Sequence, residues 1–192
     1  MGLSGKPWHL ALDRTNWKFG RCHINILMLG IVHEKVCIPL FWSLRDKAGN
    51  SNAPERTALL ERMIKTFPDQ PISSLSGDRE FIGEKWMGWL HERGIPFVLR
   101  LKENMHVWNE SHVPVKLSLH AIRLEKRQSR IMKGIWYLGR DQEMVTTPVK
   151  ISMMRLKTGE MLIVAARQAP PEHSSRQTLL HLARAFPGYF DA

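Results

Sequence analysis

The chain has 192 residues, of which 43% are apolar, and its 28 lysines and arginines outnumber its 18 aspartates and glutamates, which gives a net charge of +10. This composition excludes a chain dominated by disorder, and the length suits one domain with room for a large insertion. The positive charge indicates a polyanionic partner, either a nucleic acid or an acidic membrane surface.

The first 45 residues predict three consecutive β-strands. Alternating or continuous apolar residues mark these strands at residues 7–13, 22–32 and 36–44. A turn is expected at 16–20 and a second short connection at 33–35. Three strands joined by short turns indicate an antiparallel meander.

Helices and strands then alternate. Asn52 is a suitable N-cap, and Glu55 lies three residues later, which together predict a helix start. Apolar residues at helical spacing continue to Phe67, before Pro68 ends the pattern. A strand, a second helix and another strand are predicted at 72–77, 81–93 and 97–101.

The resulting order, β-β-β-α-β-α-β, predicts an α/β fold with a mixed sheet and helices packed on its faces. The ribonuclease-H-like architecture has this order. In such a sheet, a right-handed crossover can lay the strand before Asp78 beside the strand that contains Asp13.

The pattern changes after residue 104. Short strands are predicted at 134–138, 149–156 and 161–165, with a hairpin turn at 157–160. We therefore divide the chain into a core with the ribonuclease-H-like element order, a β-rich insertion and a C-terminal tail, at residues 1–104, 105–168 and 169–192.

Cysteine content and hydropathy bear on the cellular compartment. The two cysteines, Cys22 and Cys37, are too few for a disulfide framework, so we expect reduced, buried thiols in a cytosolic protein. No apolar run approaches the roughly 18 residues of a membrane-spanning helix. We therefore expect a cytoplasmic protein with no membrane partner.

Two aspartates, Asp13 and Asp78, end or interrupt apolar strands. A buried carboxylate is costly unless it is paired or bound to a metal ion. Mg²⁺ prefers oxygen ligands, keeps several waters and completes its coordination with substrate phosphate, which suits phosphodiester chemistry on DNA. The alternatives are structural: Asp13 would be a turn residue, and Asp78 would cap the second helix.

Three short sequences strengthen the metal interpretation. Residues 13–17 (DRTNW), 77–81 (GDREF) and 97–102 (FVLRLK) resemble, in this order, the bacterial insertion-sequence DDE transposases. The resembling branch is the insertion sequence four group, in which a β-rich insertion separates the second aspartate from the glutamate. The resemblance spans residues 7–170.

This resemblance implies a ribonuclease-H-like fold and a polynucleotidyl transferase that cleaves and transfers DNA strands at transposon ends. It further implies that Asp13 and Asp78 are catalytic and bind Mg²⁺ or Mn²⁺. The partner would be double-stranded DNA, in the bacterial cytoplasm at the nucleoid. Homo-oligomerisation is left open.

The sequence differs from this family at the third carboxylate. The family carries this glutamate in a helix after the insertion, in a Tyr–Arg–Glu–Lys signature, whereas residues 168–192 contain only Glu172 and no such signature. The family's N-terminal DNA-binding region is also missing. We therefore expect a truncated or frameshifted fragment with its final catalytic helix missing or altered, inactive or nearly so. Glu172 or Asp191 could replace the third acid. The alternative function is a non-catalytic DNA-binding or oligomerising remnant.

Charge and aromatic residues predict further DNA contacts. The candidate phosphate contacts are Arg14, Arg79, Arg100, Lys102, Arg123, Lys126, Arg127 and Arg130, and the alternative for each is a solvated charge. Trp108 and Trp136 are candidates for stacking on an unpaired base, with core packing as the alternative.

Overall fold

A computed structural model describes residues 5–34, 36–45, 49–138 and 147–167. The strands are β1 Trp8–Phe19, β2 Cys22–His33, β3 Val36–Arg45, β4 Ile72–Gly77, β5 Phe97–Arg100, β6 His106–Trp108, β7 Pro114–Lys116, β8 Ser129–Ile131, β9 Trp136–Leu138, β10 Thr147–Arg155 and β11 Met161–Arg167. The helices are α1 Ala53–Thr66, α2 Glu84–Glu92 and α3 Leu117–Ala121.

All these strands belong to one mixed sheet. Its order is β3-β2-β1-β4-β5-β11-β10-β9-β6-β7, and β8 pairs with β10. The pairs β1–β4 and β4–β5 are parallel, whereas β1–β2 and β2–β3 are antiparallel. The order β-β-β-α-β-α-β and the mixed α/β fold are therefore confirmed, as is the placement of the strand before Asp78 beside the strand of Asp13.

The first turn was predicted wrongly. The segment 16–20 is not a turn, because β1 pairs with β2 residue by residue as far as Phe19 and Cys22. Only Gly20 and Arg21 connect the two strands, and Gly20 has the positive φ of 59° that glycine adopts without strain. A two-residue connection matches the right-handed twist of an antiparallel pair.

The start of the second helix also differs from the prediction. A 3₁₀ turn, Arg79–Phe81, follows β4, and α2 begins only at Glu84. Downstream, the strand expected from residue 134 begins at Trp136, because Gly134 has a φ of +82°. The short elements β6, β7, α3 and β8 were not predicted.

Helices α1 and α2 and the sheet share one apolar core. Leu12 and Leu29 of the sheet, Met63 of α1 and Trp86 of α2 are at most 1% exposed and belong to the same cluster. At the start of α1, the Asn52 side chain accepts a hydrogen bond from the Glu55 N–H, and the Glu55 side chain accepts one from the Asn52 N–H. This capping box confirms the predicted helix start.

The remaining sequence expectations concern thiols, membrane segments and the tail. Cys37 is a free, half-buried thiol, whereas the side chain of Cys22 lies outside the described residues. None of the described helices has the length and apolar character needed to cross a bilayer. Glu172 and Asp191, in the tail 169–192, lie outside the described residues.

Candidate metal and DNA site

Asp13 and Asp78 occupy matching positions on neighbouring strands. Asp13 lies within β1, and Asp78 directly follows β4. The parallel register of these strands pairs Leu12 with Gly77, so each aspartate is the next residue after the same pair. The topology therefore brings together two acids that are far apart in the sequence.

The environment of Asp13 opposes its ionisation. Burial raises the pKa of Asp13, and the carboxylates of Glu80 and Asp78 raise it further. The backbone N–H of Arg14 acts in the opposite direction, because it donates a hydrogen bond to Asp13 Oδ1 at 2.7 Å. A cation between these acids would relieve their repulsion.

Asp78 does not act as a helix cap. It occupies the N-cap position of the 3₁₀ turn, but its side chain makes no capping hydrogen bond. Its Oδ1 is buried and has no hydrogen-bond partner among the described residues. Among the described residues, the cationic atoms within 4.0 Å of it are Arg100 Nη1 at 3.7 Å and Arg79 Nε at 4.0 Å, both beyond hydrogen-bond distance.

Arg14 forms an internal ion pair with Glu80. Its Nε donates to both carboxylate oxygens at 2.9 and 2.8 Å, and its Nη2 donates to Oε2 at 2.6 Å. Arg14 also donates to the Gly49 carbonyl and the Asn50 side chain, at 3.2 Å each. The guanidinium thus connects β1, the turn after β4 and the segment before α1, and its predicted DNA contact stays a prediction.

Arg56 fixes the same turn from the side of α1. This residue is only 4% exposed and donates to the Glu80 carbonyl at 2.9 Å and to the Ser51 hydroxyl at 2.8 Å. Its guanidinium also lies 5.3 Å from the ring centroid of Phe81. This role of Arg56 could not be predicted, because in the sequence it is one arginine in the first turns of an amphipathic helix.

A polar cleft opens beside Asp78. Its volume is about 470 Å³, and it is lined by Asn50, Asp78, Arg79, Glu80, Lys102, Glu103 and Asn104. Two of the predicted phosphate contacts, Arg79 and Lys102, line this cleft. The cleft therefore brings two cations, Arg79 and Lys102, close to Asp78, together with the carboxylates of Glu80 and Glu103.

Arg100 is buried and paired rather than open to solvent. It is 5% exposed, and its Nη2 donates to Glu160 Oε1 at 2.5 Å. Glu160 lies in the turn between β10 and β11 and also approaches Arg79 Nη2 at 3.9 Å. Sequence reasoning missed this acid, because nothing local distinguishes it from any polar hairpin residue.

The other predicted DNA residues lie outside this cleft lining. The basic residues Arg123, Lys126, Arg127 and Arg130 are all exposed, so they are accessible to a polyanion. Trp136 is 8% exposed and donates Nε1–H to the Lys133 carbonyl, which favours a packing role. Trp108 is half-buried, and base stacking at both tryptophans stays a prediction.

The acid pair fits a hard divalent cation that keeps several water ligands. Among the described residues, no group of three or more His, Cys, Asp or Glu side chains is arranged to hold a metal ion. Mg²⁺ is commonly bound through one or two carboxylates together with substrate phosphates. The buried, unpartnered Oδ1 of Asp78 and the raised pKa of Asp13 are both consistent with such a site.

Comparison with models of protein families matches residues 4–184 to the transposase DDE domain. The chain belongs to this family. A comparison with curated protein sequences finds no match.

Comparison with solved structures finds a transposase and several nucleases among the matches. A piggyBac transposase in a synaptic complex with hairpin DNA has a TM-score of 0.53 and 13% identity over 95% of this chain and 40% of that one. Human endonuclease V has a TM-score of 0.48 and 13% identity over 97% and 79% of the two chains. The NurA nuclease from Sulfolobus solfataricus has a TM-score of 0.45 and 9% identity over 94% and 73%.

The sheet order β3-β2-β1-β4-β5, with β2 antiparallel and β4 parallel to β1, gives this transposase DDE domain the ribonuclease-H-like mixed sheet that the sequence predicts. The chain spans 40% of the length of the piggyBac transposase, and the likeness to that structure concerns the fold.

Proposed function

We propose that this transposase DDE domain, of the insertion sequence four branch, cleaves and transfers DNA strands at transposon ends with a divalent cation held by Asp13 and Asp78. The observation that carries the proposal is the register of β1 and β4, which places both acids one residue beyond the Leu12–Gly77 pair. Two acids at one level of adjacent strands form an electrostatically strained pair that a cation stabilises.

Asp13 and Asp78 would hold Mg²⁺ or Mn²⁺ through their carboxylate oxygens. The cation, when bound, supplies Lewis acidity at a phosphoryl oxygen. Arg79 and Lys102 line the cleft beside Asp78, where their charges bind and orient the phosphate backbone. The Arg14–Glu80 pair and Arg56 have an indirect role. They fix the turn that follows Asp78 and so hold the acids in place before a cation binds.

The positive charge of the chain supports binding to DNA. The net charge of +10 favours double-stranded DNA as the partner, and the exposed Arg123, Lys126, Arg127 and Arg130 add a basic segment. Each phosphate contact releases counterions, so binding should weaken steeply with salt. Such a protein would act at the bacterial nucleoid.

We further propose that strand cleavage by this chain is weak. Residues 168–192 contain a single glutamate, Glu172, and lack the Tyr–Arg–Glu–Lys signature of the family. Two carboxylates can hold one cation, but a second cation would lack a ligand. This chain would then retain only residual cleavage activity.

A non-catalytic remnant that binds DNA or self-associates is the second candidate. The observation that favours it is the apolar surface of the edge strand β3, where Val36, Trp42 and Leu44 are 60%, 56% and 71% exposed. An edge strand with exposed apolar residues can pair with another chain.

Nicking of a supercoiled plasmid separates the two candidates. We expect slow nicking that requires Mg²⁺ or Mn²⁺ and falls by at least about 100-fold in Asp13→Asn and Asp78→Asn, because each change removes a ligand charge. The exposed acid Asp69 provides the matched control, and Asp69→Asn should nick as the unmodified chain does. Salt-sensitive DNA binding without nicking under either metal would instead support the remnant.

A further inference from the structure

Arg100 lies between Glu160 and Asp78 and forms a hydrogen bond with only the first of these acids. Its Nη2 donates to Glu160 Oε1 at 2.5 Å, whereas its Nη1 is 3.7 Å from Asp78 Oδ1. The first contact is a charge-assisted hydrogen bond, and the second is too long to be a hydrogen bond. Because the Arg100 side chain is only 6% exposed, its charge needs an anionic partner inside the protein.

The sheet topology delivers Glu160 to this position. β11 pairs with β5 so that Val164 lies opposite Arg100, and Glu160 directly precedes β11. The hairpin turn is closed by hydrogen bonds from the Leu156 N–H to the Glu160 carbonyl and from the Gly159 N–H to the Leu156 carbonyl. Glu160 is therefore placed by a defined turn rather than by a loose loop.

We propose that Glu160 is a positioning residue, which holds the guanidinium of Arg100 away from Asp78 and so leaves the Asp78 carboxylate available to the divalent cation. This inference rests on the proposed role of Asp78 as a metal ligand. Asp78 Oδ1 is buried without a hydrogen-bond partner among the described residues, although a guanidinium lies within 4 Å of it. Glu160 explains why that guanidinium leaves Asp78 Oδ1 unbonded.

Loss of the Glu160 charge should redirect Arg100. The only other acid that Arg100 pairs with among the described residues is Asp78, and a small side-chain rotation would close the 3.7 Å gap to a hydrogen bond. The buried guanidinium would then compete with the metal ion for one carboxylate. Metal affinity would fall although no metal ligand had been changed.

Two controls separate this role from simpler ones. Glu103 lines the same cleft as Asp78, so Glu103→Gln removes an equal charge from the neighbourhood without touching Arg100. If Glu160 were a direct metal ligand, its substitution would lower the metal affinity of the protein in any background. A residue that acts only by positioning Arg100 has no effect once Arg100 is absent, so the Arg100→Met background tests whether Glu160 acts through Arg100.

The test is a titration of the full chain with Mn²⁺, with free Mn²⁺ measured by electron paramagnetic resonance. We expect Glu160→Gln to raise the Mn²⁺ Kd by about tenfold, within the range found for outer-shell partners of metal ligands. Glu103→Gln should raise the Kd less than about threefold, as expected for a screened charge in the same cleft. In the Arg100→Met background, Glu160→Gln should leave the Kd unchanged.

Any other result contradicts one of the claims above. Equal effects of Glu160→Gln and Glu103→Gln would overturn the positioning role, and this comparison stands even if Arg100→Met fails to fold. A loss of affinity that persists without Arg100 would overturn the positioning role through Arg100, because Glu160 would then act as a ligand or through Arg79, whose Nη2 lies 3.9 Å from Glu160 Oε1. Wild-type affinity in Asp78→Asn, or no Mn²⁺ binding by the unmodified chain, would overturn the proposed function itself.

Discussion

Asp13 makes the stability of the folded protein depend on pH. Burial, with Glu80 and Asp78, raises the pKa of Asp13 above its ordinary value of 3.8 in the folded protein. Between 3.8 and the raised pKa the folded state binds more protons than the unfolded chain, so stability falls as the pH rises through this window. Above this window the ionised carboxylate of Asp13 is less favourable in the folded protein than in the unfolded chain, which lowers the free energy of unfolding.

Removing this charge should stabilise the chain. In metal-free buffer at pH 7, we expect Asp13→Asn to raise the Tm, because the amide keeps an oxygen that can accept from the Arg14 N–H and carries no charge. The gain should disappear as the pH falls well below 3.8, where the aspartate is protonated in both states. Differential scanning calorimetry across this pH range measures both effects, and a lower Tm for Asp13→Asn at pH 7 would refute the account of its environment.

Single residues also show how far the sequence could be interpreted. Asp13 and Asp78 could be singled out because carboxylates are unusual at the ends of apolar strands. The ion pairs around them could not be predicted, since Arg14 and Glu80 are 66 residues apart and Arg100 and Glu160 are 60 apart. Such contacts depend on sheet order, which no local pattern contains.

At the scale of elements, the close approach of β2 and β3 requires glycine at position 30. A Cβ there would collide with Cys37 Sγ and would lie 2.8 Å from the Ile38 carbonyl oxygen. The backbone oxygen cannot move independently of the strand. Gly30 lies at the register shift between Leu29 and Gly30, where β3 carries one extra residue.

Gly30→Ala should therefore destabilise the fold by about 1–3 kcal/mol, the usual cost of overpacking. Gly88 of α2 is the matched control, because nothing lies within 4 Å of a Cβ at that position. Gly88→Ala should stabilise the chain by about 0.5–1 kcal/mol, since glycine is unfavourable inside a helix. Urea denaturation provides both values, and equal stabilities for the two variants would contradict the described packing of β2 on β3.

Elements with strong local signals were predicted well. The strand Ile72–Gly77 and the cap at Asn52 match the prediction, because an apolar run and a capping box are local features. The turn at 16–20 failed because continuous pairing with β2 overrides the turn preference of those residues. The short strands β6 to β8 have three residues each, too few for a periodic pattern.

At the scale of the whole molecule, sheet order assembles the site. A right-handed crossover was enough to predict that β4 lies beside β1, and hence that Asp13 and Asp78 are neighbours. The position of β11 beside β5 was not predicted, because many routes return a β-rich segment to a sheet. That unpredicted pairing brings Glu160 to Arg100.

Iron-directed backbone cleavage tests most directly whether Asp13 and Asp78 bind one divalent cation. Fe²⁺ that replaces Mg²⁺ produces hydroxyl radicals with ascorbate and peroxide, and these cut the chain close to the bound ion. We predict two main cuts, one next to Asp13 and one next to Asp78, both suppressed by excess Mg²⁺ and lost in Asp78→Asn. Cuts at only one of these positions, or cuts that Asp78→Asn leaves unchanged, would contradict a shared site.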